Sequence, residues 1–221
     1  MNAEAIPESA LRVTSHEVLA LLSFSPGPSA EMSRKVLVLA DLPEDSDLVR
    51  AGLATLHVRD MAEADDEGIH LRDGALVLSV ILSTATEWFE ATRYGATSSL
   101  PAYVVSSPHG KAAIFLRPLS QYLCLPLRAG MDIMDFLEQT VNGLTAEAHS
   151  MDGGLVTVRH HQLGEEMEAA NVKVNADGTR QLAALPVQDD GQLTLTTLDD
   201  TQDAGACVSA AFRRIPKAFR K

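Results

Sequence analysis

The side chains able to do chemistry are few, and their spacing does not suit it. His160 and His161 are adjacent. Adjacent strand positions point to opposite faces, so the pair could not ligate one ion without a bulge, and no third ligand is spaced nearby. His109-Gly-Lys111 lacks the run of backbone amides opening a helix that a phosphate loop requires, and it reads as a hairpin tip. Cys124 lies in an apolar run where a thiolate is disfavoured, and it shares no short spacing with Cys207. Neither a metal knuckle nor a disulfide framework is implied, and a reducing compartment fits best. The serines cluster in turns (Ser98, Ser99, Ser106, Ser107), with none in a nucleophile elbow. The carboxylate pairs Asp65-Asp66, Glu165-Glu166, Asp189-Asp190 and Asp199-Asp200 fall in loop contexts that suit solvated turns rather than acid–base catalysis. The expectation is a chain without catalytic residues, cofactor or metal, and so not an enzyme.

The composition narrows the remaining classes. A chain of 221 residues can bury a substantial core without disulfides or metals. Its net charge of −12 opposes a broad nucleic-acid surface, which needs concentrated positive potential. Five of the eighteen basic residues sit in the last eleven positions, Ala211 to Lys221. That tail reads as a last helix whose cations complement its own dipole, with contact to an acidic membrane or partner as the alternative. The first twenty residues have no basic stretch ahead of an apolar run, and no apolar segment of about 18 residues occurs, so a soluble, cytoplasmic protein is expected.

The elements that would position any site follow from the patterning. Residues Met1 to Ala10 read as a frayed leader. Thr14 and Glu17 have capping-box spacing ahead of a short helix ending near Ser23. Ser25-Pro-Gly-Pro-Ser29 breaks the chain. Val36 to Ala40 is either a buried strand or the end of a helix starting near Ala30. Asp45 or Ser46 can cap a helix through Leu48, Val49, Leu53 and Leu56, Ala64 to Leu71 suggests a hairpin, and Asp73 can cap a strongly apolar helix through Leu82. This helix–hairpin–helix outline is that of a winged helix. Its Arg50, His57 and Arg59 are, however, bracketed by Glu44, Asp45, Asp47 and Asp60, which weighs against DNA binding.

Six of the ten aromatics fall between Trp88 and Leu127. There the runs Trp88–Tyr94, Ala102–Val105 and Ala112–Leu116 read as an antiparallel meander. Gln121 to Leu127 would be a further short or edge strand, because Pro126 is not tolerated in a central one. Asp132 caps an amphipathic helix through Leu144. After Gly153-Gly154 come candidate strands Leu155–Val158, Met167–Val174, Gln181–Val187 and Leu193–Thr197, then a helix from Asp200 or Thr201 toward Ile215. The reading is an α+β fold of antiparallel meander units, each followed by a helix, in a pseudo-twofold arrangement with winged-helix-like helices at the N-terminus. Its segments are 1–87, 88–150 and 151–221 within one continuous globular domain.

The succession VTSHEVLALL, DLVRAGLATLHVRDMAEADDEGIHL, AYVVSSPHGKAAIFLRPLSQYLCLPL and DDTQDAGACVSAAFRRI resembles the EspG family of type VII secretion. The resemblance spans most of the chain and rests on segment order. It implies two quasi-repeated sheet-and-helix halves and a non-enzymatic cytosolic chaperone or adaptor for helical secretion substrates of the PE and PPE classes. It carries over no binding residue, and because the chain is shorter than typical members an altered substrate-gripping surface is expected. The winged-helix regulator is the alternative function. If a protein partner binds, loops at the edge of the aromatic-rich sheet are expected to meet it, through Tyr94, Ser107 and His109.

Overall fold

The computed structural model describes residues 10–40, 42, 46–97, 99–188 and 191–213. The leader up to Ser9, the Asp45 and Ser46 caps, Ser98, the Asp189-Asp190 pair and the basic tail after Arg213 lie outside the described residues and side chains. The fold is α+β, with helices packed on antiparallel strands. Two compact units divide it, Met1–Trp88 with Val105–Ala129 and Phe89–Val104 with Gly130–Lys221. The chain thus crosses between them three times, and neither unit is a continuous stretch.

In the first unit, β1 (Leu11–Thr14) leads directly into α1 (Ser15–Ser23). The joint is the capping box expected from spacing: Glu17 N donates to Thr14 Oγ1 at 3.3 Å and Thr14 N to Glu17 Oε2 at 2.8 Å. Then come α2 (Pro28–Val36), α3 (Ser46–Val58), the hairpin β2 (Ala62–Asp65) and β3 (Gly68–Leu71), and α4 (Asp73–Thr84). Of the two readings of Val36–Ala40, the helix end is the one found. Leu37 and Leu39 are buried beyond it, while Val38 turns outward at φ 58°. Asp73 does not cap α4. Arg72 holds the cap position without a side-chain bond, because Asp73 is already the first helical residue.

The strands of this unit run in the order β1–β7–β6–β5, with β5 Ala102–Ser107, β6 Gly110–Arg117 and β7 Gln121–Pro126. Strand β7 is therefore not at the edge, contrary to the expectation from Pro126. Among the described residues β1 pairs with Gln121 to Cys124, a ladder that does not include Pro126. β1 itself escaped the sequence reading, being four residues long with its partner more than a hundred residues away.

Glu17 is buried to 1% exposure and carries charge into this core. Besides the cap, its carboxylate accepts from Arg59 Nη1 at 2.8 and 2.9 Å, and Arg59 Nη2 donates to Arg12 O at 2.7 Å on β1. One guanidinium thus neutralises a buried acid and covers part of a sheet edge. Arg59→Ala is expected to destabilise the protein by about 2–3 kcal/mol. Leaving a buried carboxylate unpaired costs more than that when both partners are enclosed, but Arg59 is 40% exposed. Urea unfolding of the variant checks the value.

The second unit holds Phe89 to Tyr94 of β4 (Glu87–Tyr94) and the start of β5. It continues with α5 (Ile133–Ser150), β8 (Gly154–Gln162), β9 (Glu168–Val174), β10 (Arg180–Val187), β11 (Leu193–Leu198) and α6 (Ala204–Arg213). Its strand order is β4–β8–β9–β10–β11. Asp132 caps α5 as expected, accepting from Met134 N at 2.9 Å. Helix α6 starts later than expected because Asp199 folds residues 199–202 into a side-chain-closed turn, its Oδ1 accepting from Thr201 N at 2.8 Å and Gln202 N at 3.1 Å. Asp203 then takes over at the helix start, accepting from Ala206 N at 2.7 Å, and Asn142 on α5 donates to both its oxygens. The Ala206 bond, followed by that of Asn142, holds the Asp203 carboxyl below its ordinary value. A lowered native pKa contributes stability above the unfolded value, so the α5–α6 contact weakens as pH falls through the native one.

Candidate functional site

Each residue expected to meet a partner has a distinct setting. Tyr94 ends β4 in the second unit and is 39% exposed. Ser107 and His109 share the β5–β6 turn of the first unit. There the Ser107 hydroxyl donates to Gly110 O at 3.0 Å and accepts from His109 N at 3.1 Å. Ser107 is buried, so its hydroxyl shapes the turn while the exposed His109 is what the turn presents. Thr86, just before β4, donates to Ser106 O at 3.0 Å, so this turn lies by the start of β4. Ser107 and His109 share one turn of the first unit, while Tyr94 belongs to the second.

The groups that invited chemical readings have structural settings. His160 is 5% exposed, stacked on Phe89 with centroids 4.2 Å apart, flanked edge-on by Phe212 at 5.3 Å, and 3.4 Å from Glu168. Among the described residues, no group of three His, Cys, Asp or Glu side chains could hold a metal ion. The acidic turn at Asp65 closes on itself through Glu67 N and Gly68 N. Cys124 is buried and desolvation pushes its thiol up to about 12. At pH 8 only about one molecule in ten thousand would carry the thiolate. Native Cys124 is therefore expected to resist a thiol reagent such as iodoacetamide until the protein unfolds, which peptide mapping after labelling will show.

The first unit does contain an apolar cleft, of about 450 Å³, between α4 and the sheet. Val77, Leu78 and Ile81 of α4 form one wall, and Leu11, Ala112 and Cys124 of β1, β6 and β7 the other. Val77 and its neighbour Leu76 are each about half exposed. Among the described residues no charged side chain lines the cleft. It can hold apolar groups but offers nothing to activate a nucleophile or stabilise a developing charge. The sequence signal was present in α4, whose residues 75–82 are apolar on nearly every side, more than one buried face requires.

A polar cavity of about 310 Å³ in the second unit gathers Asn142, Thr145, His149, Arg180 and Asp200. Asn142 is engaged by Asp203 and by Gly205 N, and Arg180 donates to Asp199 O at 2.7 Å. Asn142 and Arg180 thus brace the start of α6, while the Thr145 hydroxyl is buried with no hydrogen-bond partner among the described residues.

No family model and no curated protein matches this chain. Among solved structures it is similar to EspG5, the type VII secretion system chaperone of Mycobacterium tuberculosis, determined in complex with a PE25–PPE41 dimer. The TM-score is 0.51 at 10% identity, over 92% of this chain and 94% of that one. The likeness is one of fold. It extends nearly end to end in both chains. No helix among the described residues is long and apolar enough to cross a membrane.

Proposed function

We propose that this chain is a non-enzymatic, cytoplasmic binding protein of the EspG type, a chaperone or adaptor that holds a helical secretion substrate. The likeness to EspG5 over 92% of the chain carries the reading. The uncharged apolar cleft and the structural settings of the histidines and Cys124 agree with it. Exposed His109, held out by the Ser107 turn, and exposed Tyr94 are two separate contacts for such a partner.

Affinity capture of the tagged chain from a native lysate of its source, read by mass spectrometry, tests this. A helical protein recovered in near-equal amount, and reduced severalfold by His109→Ala or Tyr94→Ala, is the expected result. Repeated recovery of the chain alone would refute it. The winged-helix alternative is disfavoured by where the cations are spent: Arg50 pairs with Asp47, Arg59 with Glu17 and Arg72 with Glu63. Phosphate contacts need such groups available.

A further inference from the structure

Among the described residues β1 and β11 each pair on one side only, and the two are treated differently. In the first unit β1 is four residues long, carries Arg12, and has the Arg12 carbonyl covered by Arg59. In the second unit β11 is six residues, LTLTTL, with no charge and no proline. Among the described residues it pairs only with β10. Leu195 is 58% exposed, and Thr196 and Thr197 are exposed beside it. Edges left for solvent are ordinarily blunted by lysine, proline, a bulge or a covering group. The register shift between Ala184 and Val187 lies on β10 at the Leu193 end of the ladder, and Leu195 to Thr197 stay in regular register. Long, uncharged and rich in Thr and Leu, the β11 edge has the form of a template for another strand.

The surroundings select the occupant. Beside the Leu193 end of β11 lies a cavity of about 640 Å³ lined by Met167, Leu185, Val187 and Leu193 together with Glu165, Glu166 and Glu168. Asp199 and Asp200 follow the other end. Arg180, opposite Leu198 on β10, is turned onto the Asp199 carbonyl. An antiparallel second copy would set acidic flank against acidic flank, in a chain of net charge −12. A strand with basic flanks meets the opposite sign at both ends.

We propose that the outer edge of β11 accepts, by strand addition, an extended uncharged segment of a partner protein flanked by lysine or arginine, with one apolar side chain entering the Met167–Leu193 cavity. This goes beyond the chaperone reading and uses a different surface, so either can fail alone.

The probe is a synthetic peptide of alternating threonine and valine with lysines at both ends, titrated into the isotope-labelled chain. The control is the same peptide with glutamates at both ends. Shifts confined to β11 and its cavity, an affinity for the lysine peptide at least about tenfold above the control, and weakening with added salt are expected. The double variant Leu195→Lys, Thr197→Lys should lose about tenfold in affinity while its unfolding midpoint stays near that of the parent, because both side chains are exposed. The amide mapping uses the parent chain and stands even if that variant misfolds. Equal binding of the two peptides, no binding of either, shifts away from β11, or dimerisation through β11 without peptide would each overturn the proposal.

Discussion

Trp88→Ala should cost about 3–5 kcal/mol, a large part of what holds a domain folded. Trp88 is fully buried in the first unit, where its Nε1 donates to Ser33 Oγ at 3.0 Å and Ser33 Oγ donates in turn to Leu82 O at 2.6 Å. The indole therefore fills the core and closes a chain of hydrogen bonds from β4 through α2 to α4. Alanine leaves a cavity as well as a serine without its donor. Trp88→Phe keeps most of the volume and loses the donor, so about 1–2 kcal/mol is expected from it. Urea unfolding separates the two. A cost below about 1 kcal/mol for the alanine variant would mean that this unit is not packed around the indole.

Gly52→Ala is expected to destabilise by about 3 kcal/mol, although alanine is the better helix former. A Cβ on Gly52 of α3 would lie 2.1 Å from His16 O and 2.9 Å from Ala20 Cβ on α1. Two backbones meet there, and neither can yield without parting the helices. The second unit repeats the device, since a Cβ on Gly205 of α6 would lie 2.3 Å from Glu138 O on α5, and Gly205→Ala should behave likewise. Gly143, inside α5, is the control. Nothing lies within 4 Å of its Cβ position, so Gly143→Ala should gain up to about 1 kcal/mol from propensity alone. Thermal unfolding of the three variants reads the contrast. Similar shifts at Gly52 and Gly143 would contradict the close approach of α1 and α3.

What could be read in the sequence was what neighbouring residues decide. Thr14 and Glu17, and Asp132 ahead of α5, act through spacings of two or three residues, and their caps are where they were expected. Apolar runs such as Ala102–Val105 and Ala112–Leu116 became strands for the same reason. The misses involve partners distant in sequence or competing local bonds. β1 has no pattern without β7, and the turn closed by Asp199 takes up Asp200 and Thr201, from which the last helix was expected to start. Gly52 and Gly205 carry only the weak signal of a glycine inside a helix. The apolar cleft was half visible in α4, but its other wall comes from three strands. Of the expected contact residues, Ser107 was rightly placed in a turn, yet composition could not show that its hydroxyl would be spent there.

The account rests on a stable protein partner, and the molar mass of the untagged chain purified from a native lysate measures that most directly. Light scattering after size exclusion should give a single species well above the chain's own 23.7 kDa, containing a second, helical polypeptide in fixed proportion. A mass of 23.7 kDa, or a multiple of it built from this chain alone, would contradict the account.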